Sequence, residues 1–196
     1  MMEAKVMKDC LLDGIGDEWD DGGEHFMSRI GQCPRKIYHD LVDGQRRPGN
    51  QGRRYCHEGL VHERDIIERL AAAGVPVLNQ GREVVAGFDE RCVGHIDGEV
   101  DGDLLEVKSC TPEAFEMVRW KGAKPRHVAQ VQMYLRYGEY ARGLIVYKCR
   151  GTGELWVIEV AQDEVIGEEL ERKAKEIFAA VDRGVAPECT CGRCRG

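Results

Sequence analysis

Two acidic residues and a lysine lie close together between residues 94 and 108, a segment that reads GHIDGEVDGDLLEVK. The acids are Asp97 and Glu106, and the lysine is Lys108. Two carboxylates that face each other repel, unless a proton or a cation lies between them. A hard divalent cation with oxygen ligands would resolve that conflict, with Lys108 as a positive donor beside it. Such a group could hold a metal ion, a water molecule and a scissile phosphate together.

A tight hairpin would bring these residues face to face. The pair Asp101-Gly102 is typical of a two-residue turn between antiparallel strands. In the register that this turn sets, Asp97 lies opposite Glu106 and His95 lies opposite Lys108, with Cβ atoms about 4.5–5.5 Å apart. A slip of one residue would move Asp97 to the other face, and an exposed strand of mixed charges is the simpler alternative.

The alternation of side chains along the two strands separates two faces. The face expected to pack against a neighbouring layer holds the apolar residues Ile96, Val100, Leu105 and Val107. The opposite face holds His95, Asp97, Glu99, Leu104, Glu106 and Lys108. The candidate chemistry therefore lies on the second face.

Hydrophobic periodicity predicts the elements around this hairpin. Helices are expected over 25–43 (with a possible break at Pro34), 53–73, 112–119, 125–138 and 163–183. Strands are expected near 75–78, 82–87, 91–99, 103–109, 143–149 and 154–160. Helices that flank a central mixed β-sheet make the fold class α/β.

The composition limits the class of protein. The chain has 196 residues, of which 42% are hydrophobic and 32% charged, as in a globular protein and unlike a disordered chain. No apolar run approaches the ~18 residues of a membrane helix, and charged residues at positions 3, 5, 8 and 9 argue against a signal peptide. We therefore expect a cytoplasmic protein without a membrane partner. In that compartment nine cysteines indicate metal ligation or redox work rather than disulfides.

The net charge of −7 is localised. Residues 9–24 carry seven acidic residues and no lysine or arginine, so residues 1–24 are interpreted as an acidic, irregular leader that could mimic DNA or dock a basic partner. The rest of the chain is neutral and contains two basic stretches, within 35–54 and 119–126. Such stretches can follow phosphates, although solvated surface charge is an equally good explanation for either one.

The segment Gly-His-Ile-Asp followed by Glu-Val-Lys resembles the core of the PD-(D/E)XK nuclease superfamily, with Ile96 where the name-giving proline stands. The resemblance implies a restriction-endonuclease-like core. It also implies that Asp97, Glu106 and the Val107 carbonyl bind Mg²⁺ or Mn²⁺, and that Lys108 assists the attacking water.

Two further motifs resemble the RecB-like branch of this superfamily. The sequence GLVHE at 59–63 implies that His62 is a metal ligand, with Glu58 and Glu63 less favoured. The sequence QVQMY at 130–134 matches the motif Gln-x-x-x-Tyr, whose side chains would lie beside a DNA strand. The residues expected to guide DNA are Gln130, Tyr134, Arg126, Arg35, Lys36, Arg53 and Arg54.

Four cysteines extend the resemblance. Cys33, Cys189, Cys191 and Cys194 resemble the ligands of RecB-like iron–sulfur nucleases, such as CRISPR-associated adaptation nucleases and AddB-type helicase–nucleases. There a [4Fe–4S] cluster joins the N- and C-terminal ends of the domain. The tail spacing C-x-C-x-x-C is tighter than the usual pattern, so zinc or an empty site stays open, and Cys56 is a possible substitute ligand.

These patterns together predict a metal-dependent DNA nuclease that hydrolyses phosphodiesters. The resemblance further implies an exonuclease that acts on single-stranded DNA ends, with a possible protein partner in a DNA-processing complex. The nuclease domain is expected over 25–186, with a cysteine-rich tail over 187–196 that packs on the N-terminal helix. The alternatives are a non-catalytic nucleic-acid-binding protein, an iron–sulfur redox sensor, and a junction resolvase or restriction-type endonuclease.

Overall fold

The computed structural model describes residues 26–43, 50–192 and 194. The helices are α1 (Phe26–Arg29), α2 (Pro34–Val42), α3 (Asn50–Ala72), α4 (Pro112–Lys121), α5 (Pro125–Gly138) and α6 (Glu164–Arg183). The strands are β1 (Glu83–Val85), β2 (Val93–His95), β3 (Gly98–Val100), β4 (Asp103–Cys110), β5 (Arg142–Cys149) and β6 (Leu155–Ala161). The acidic leader lies outside the described residues. Within those residues, no helix has both the length and the apolar character that a membrane span requires.

The central sheet is mixed, and its strands lie in the order β3-β4-β5-β6. Strands β4 and β5 are parallel and are connected through α4 and α5, whereas the β3–β4 and β5–β6 pairs are antiparallel. A parallel pair needs such a crossover, because the chain must return to the starting edge. The predicted α/β class with a mixed sheet flanked by helices is confirmed.

Local sequence signals set where the helices begin and end. A proline stands in the first turn of α2, α4 and α5, where a missing N–H costs nothing. Pro34 therefore begins α2 instead of bending one long helix. The Asp163 carboxylate caps α6 by accepting a hydrogen bond from the Ile166 amide at 3.0 Å, and Gly184 ends that helix with a left-handed φ of 67°.

Helices cover both faces of β4, so its side chains are buried in alternate directions. Leu104 belongs to the larger apolar core, which includes residues of α1, α5 and α6. Leu105 and Val107 belong to a second core with Ile66 of α3. The predicted alternation along β4 is therefore confirmed. The centre of the strand, Leu104 to Val107, is buried on both faces, and a charged side chain there needs partners within the protein.

The strand predicted over 91–99 is wrong in one respect, because it divides at Ile96 and Asp97. The amide of Ile96 donates to the Arg82 carbonyl at 3.1 Å, and the Ile96 carbonyl accepts from the Gly81 amide at 3.0 Å. Strand β2 therefore pairs with β1, which places His95 opposite Glu83 instead of Lys108. Ile96 packs in the larger core with Leu104 rather than on the face of Val100.

The segment predicted as a strand near 75–78 contributes a single bridge. Leu78 and Glu99 exchange both backbone hydrogen bonds at 2.9 Å, and the chain then turns away. A Cβ atom on Gly98 would lie 2.4 Å from Cγ1 of Val77, so the close approach of this segment to β3 requires the glycine.

Candidate active site

The hairpin turn has the predicted form. Asp101 and Gly102 both have positive φ angles, 52° and 85°, which suit the strand twist in a two-residue turn. Val100 lies opposite Asp103, and the same register continues to Gly98. Past Gly98 the backbone pairing with β4 stops at the division described above.

A side chain replaces the missing backbone pairing. Oδ2 of Asp97 accepts a hydrogen bond from the backbone N–H of Val107 at 2.5 Å. This contact fixes the Asp97 carboxylate beside β4, next to Glu106. The predicted proximity of Asp97 and Glu106 thus arises from a side-chain contact with the strand, rather than from a continuous ladder.

Glu106 is fully buried, and its two carboxylate oxygens differ in their contacts. Nζ of Lys108, whose side chain is 26% exposed, donates to Oε1 of Glu106. Oε2 has no hydrogen-bond partner among the described residues. A buried carboxylate oxygen without a partner is costly, so this atom is well suited to accept a cation.

A third carboxylate, from Glu63 of α3, acts on the same pair. Burial and the charge of Asp97 raise the pKa of Glu63 to about 7. Burial, Asp97 and Glu63 together raise the pKa of Glu106 to about 8. Burial also raises the pKa of Asp97. The three acids therefore hold protons more tightly than free carboxyl groups do, because burial disfavours the charged form of each and repulsion raises the pKa of Glu63 and Glu106 further.

Lys108 partly offsets this repulsion. Burial by itself would lower the pKa of Lys108, but Glu106 and Asp97 outweigh it and raise that pKa. The side chain therefore remains a charged ammonium group. It acts on all three carboxylates, and Arg64 acts on Glu63 as well. When they are deprotonated, three acids facing two cations leave a negative excess that a divalent cation could neutralise.

His62, the helical residue expected to bind metal, lies in a different charged environment. Burial lowers its pKa, as do Lys148 and Arg150, while Glu58 and Asp65 act in the opposite direction. Nζ of Lys148 donates to Asp65 at 2.7 Å. The charges that most shift the pKa of His62 are therefore those of Lys148, Arg150, Glu58 and Asp65. Among the described residues its Nδ1 atom, like Oε2 of Glu106, is buried without a hydrogen-bond partner.

Glu63, which the sequence argument ranked below His62, is the α3 residue that the structure brings into the carboxylate group. The i, i+4 pattern of Glu58 and His62 marks one face of the helix but does not show which face meets the hairpin. The position of Glu63 could have been recognised only by knowing how α3 packs on β4.

Gln130 and Tyr134 lie in the interior, where they are 6% and 1% exposed. Nε2 of Gln130 donates to Oη of Tyr134 at 3.3 Å. The Tyr134 ring lies so close to β2 that a Cβ atom on Gly94 would be 2.6 Å from its Cε1. Both side chains are therefore placed to support the strand that leads to Asp97, rather than on a surface open to DNA.

A chain of hydrogen bonds leads from the surface to the residue beside Lys108. Nε of Arg126, an exposed residue, donates to Nε2 of His127 at 3.1 Å. Arginine cannot accept, so the proton of His127 is on Nδ1, which donates to Oη of Tyr147 at 2.7 Å. Tyr147 lies next to Lys108 in the parallel ladder. Burial and Lys108 lower the pKa of His127 to about 3, which keeps it neutral.

The other predicted DNA contacts differ in exposure. Lys36 and Arg54 are exposed, whereas Arg35 and Arg53 are partly buried. Nζ of Lys36 donates to Gln32 at 2.7 Å and to Asp40 at 3.1 Å. Arg46 and Arg47 of the same basic stretch lie outside the described residues.

The four cysteines expected to form a metal site lie together. The Sγ atoms of Cys33, Cys189, Cys191 and Cys194 are all within 4.8 Å of one another. Cys33 immediately precedes α2, and the other three follow α6. Cys56 is not in this group, and Cys92, Cys110 and Cys149 are buried free thiols. Cys10 lies outside the described residues.

No known protein family matches the sequence, and neither does any curated protein. Solved structures do share the fold. The alkaline exonuclease LHK-Exo from Laribacter hongkongensis has a TM-score of 0.66 at 15% identity, covering 86% of this chain and 94% of that one. Its complex with dAMP gives 0.64 at 16% identity over the same shares. A phage-related exonuclease from Haemophilus somnus gives 0.56 at 13% identity, covering 76% of this chain and 79% of that one.

Proposed function

We propose that this chain is a metal-dependent DNA nuclease of the RecB-like PD-(D/E)XK type, which removes nucleotides from single-stranded DNA ends. The observation that carries the proposal is the group of Glu63, Asp97 and Glu106 around Lys108, in which Glu106 is fully buried and the other three are partly buried. The repulsion between these carboxylates is costly without a ligand, and so is the Oε2 atom of Glu106, which has no partner among the described residues. Strongly shifted acids that share one dry site favour a functional role over a structural one. The likeness in fold to solved exonucleases supports the same class of reaction.

The residues present suit Mg²⁺ or Mn²⁺. Carboxylate oxygens are the ligands that these hard ions prefer, and Glu106 offers one that is buried and unpaired. Asp97, Glu106 and Glu63 would hold the ion, together with the Val107 carbonyl that the resemblance implies. When bound, a divalent cation lowers the pKa of water and polarises the phosphate. His62, which the resemblance implies as a ligand, also has a buried Nδ1 atom without a partner among the described residues, although the charges that most shift its pKa belong to other residues.

Lys108 acts in this proposal as a hydrogen-bond donor. Its ammonium group keeps its proton, because Glu106 and Asp97 raise its pKa. Its partly exposed position allows it to orient a water molecule and to stabilise negative charge that develops on the phosphate. The two hydrogen bonds from Arg126 to His127 and from His127 to Tyr147 fix the wall of the site beside Lys108.

The DNA strand would approach over the start of α5 and the end of α4. Arg126 is exposed there, and the Lys124 amide is held against Tyr147 at 3.2 Å. Trp120, which the sequence argument did not single out, is 85% exposed and offers a ring on which a base could stack. Gln130 and Tyr134 would act indirectly, by supporting strand β2, which leads to Asp97.

Digestion of labelled DNA tests the proposal. We would compare linear single strands, blunt duplexes and closed single-stranded circles with Mg²⁺, Mn²⁺ or a chelator. We expect release of mononucleotides from linear single strands with metal only. The variant Glu106→Gln should be slower by at least about 100-fold. Glu159→Gln is the matched control, because Glu159 is an exposed acid on another strand of the same sheet.

Three results would contradict the proposal. Equal rates for Glu106→Gln and the unsubstituted protein would remove the carboxylate group from the reaction. Binding without cleavage under every metal would favour the non-catalytic nucleic-acid-binding alternative. Cleavage of the closed circles would show an endonuclease.

A further inference from the structure

The cysteine group at the ends of the domain has dimensions that distinguish between metal centres. We propose that Cys33, Cys189, Cys191 and Cys194 hold one tetrahedral zinc ion, and not the [4Fe–4S] cluster that the resemblance implies. This inference does not rest on the proposed nuclease activity, since none of the four cysteines belongs to the carboxylate group.

The distances between the sulfur atoms carry the argument. A zinc–thiolate bond is about 2.3 Å long, so two thiolates of a tetrahedral ion lie about 3.8 Å apart. Here Sγ of Cys191 is 3.6 Å from Sγ of Cys189 and 3.5 Å from Sγ of Cys194. All four Sγ atoms are within 4.8 Å of one another, so they are close enough to share a single ion.

A [4Fe–4S] cluster needs a wider arrangement. Each of its four thiolates binds a different iron atom at a corner of a cube and lies outside that corner. The four sulfur atoms must therefore surround the whole cube of iron and sulfide. Sulfur atoms 3.5–3.6 Å apart are already in van der Waals contact and enclose no such volume.

The backbone of the tail is folded to match this short spacing. Gly192, which directly follows Cys191, has a left-handed φ of 66°, which a residue with a Cβ adopts at a cost. Oγ1 of Thr190 donates to Sγ of Cys33 at 3.7 Å. Such a hydrogen bond to a ligand sulfur orients it and favours the thiolate that zinc requires.

The site would connect the tail to a part of the fold that is already fixed. Nζ of Lys173 in α6 donates to the carbonyls of Ile30 and Gln32, both at 2.6 Å, just before Cys33. The turn that carries Cys33 is therefore held by α6 without the metal. The ion would connect the tail after α6 to Cys33, a ligand that is already held in position. The role of the zinc would therefore be structural.

Metal analysis of the full chain purified without oxygen tests the inference. We expect a colourless protein with one zinc per chain and no acid-labile sulfide. Replacement of zinc by Co²⁺ should give the intense visible bands of tetrahedral cobalt with thiolate ligands. A brown protein with four iron and four sulfide per chain would overturn the inference. So would a metal-free protein that fails to take up Zn²⁺ or Co²⁺ after reduction.

Two variants show whether these cysteines are the ligands. Cys33→Ser should lose most of the bound zinc, whereas Cys56→Ser should retain it, since Cys56 is an exposed thiol outside the group. Should Cys33→Ser fail to fold, Cys194→Ser gives the same test from the tail beyond α6. Equal zinc content in the Cys33 and Cys56 variants would refute the ligand set. Zinc content is also measurable in Glu106→Gln, so failure of the nuclease proposal stays separate.

Discussion

Two clusters of charged side chains in this molecule differ in how well their charges are matched. One joins α5 to α6. There the Glu171 carboxylate accepts hydrogen bonds from Tyr137 at 2.7 Å, from Arg136 at 3.0 Å and from Lys175 at 2.6 Å. These donors lower the pKa of Glu171 to about 2, so the charged form of this acid is strongly favoured.

The other cluster is the carboxylate group of Glu63, Asp97, Glu106 and Lys108, where the pKa of each acid is raised instead of lowered. Both clusters contain acids and bases within hydrogen-bond reach, so composition does not distinguish them. The number of hydrogen-bond donors to each carboxylate does distinguish the two clusters. The carboxylate of the first cluster has donors within the protein, whereas the charges of the second cluster are not balanced there. Such an imbalance favours a ligand-binding role for the second cluster.

The substitution Asp97→Asn tests this comparison most strongly. The amide keeps an oxygen for the Val107 N–H and removes a charge that repels Glu106 and Glu63. We expect DNA cleavage to fall by about 1,000-fold, because a cation ligand is lost. We also expect the metal-free protein to gain about 1 kcal/mol, which raises Tm by about 2–4 °C.

Cleavage assays and thermal unfolding in a chelator measure the two effects. A less stable but fully active variant would show that Asp97 has a structural role only. The carboxylate group would then be a stabilising cluster like that of Glu171.

A second pair of substitutions asks which residue of α3 belongs to the carboxylate group. Glu63→Gln should lower cleavage by about 10- to 100-fold, because Glu63 acts directly on Asp97 and Glu106. His62→Gln, one position earlier, should change the rate less than Glu63→Gln does. Rates at saturating and at limiting Mn²⁺ would show whether the defect lies in metal binding. The opposite ranking would restore His62 as the ligand that the sequence pattern suggested.

Glu171→Gln is the matching test in the balanced cluster. Loss of the charge weakens three hydrogen bonds, so we expect unfolding to become easier by about 1–3 kcal/mol while cleavage is unchanged. Because the folded pKa lies below the unfolded one, the contribution of Glu171 is present above about pH 4.5 and is lost as the pH falls toward 2. The difference in Tm between the variant and the unsubstituted protein should therefore shrink in acid. A constant difference would mean that the charge is not the cause.

Local patterns predicted much of this fold because they depend on neighbouring residues. The Asp101-Gly102 turn, the register from Val100 to Gly98 and the helix starts at prolines all follow from short-range geometry. The division at Ile96 was not predictable in this way. Its cause is a competing hydrogen-bond partner, the backbone of residues 81–82. These residues lie outside the hairpin in the sequence but are adjacent to Ile96 in space.

The candidate site shows the same limit. The proximity of Asp97 and Glu106 was predicted, since both flank the turn, although the contact that maintains it is a side-chain hydrogen bond. The choice between His62 and Glu63 depends on how α3 rotates over β4. The burial of Gln130 and Tyr134 depends on how α5 packs. Those are tertiary contacts, and the periodicity of one helix does not determine them.

The carboxylate group should also make the stability of the metal-free protein depend on pH. The pKa values of Glu63 and Glu106 are raised to about 7 and about 8, so the folded state holds protons that the unfolded chain has released. Stability should therefore decrease as the pH rises from about 4.5 to about 8, which is the reverse of the trend for Glu171.

Added Mn²⁺ should raise Tm by a few degrees more near pH 8 than near pH 5, since fewer protons compete for the oxygens. Thermal unfolding over this range, with Asp97→Asn as the control that flattens the curve, measures both. A Tm that rises with pH in the metal-free protein would show that the three acids are as well paired as Glu171.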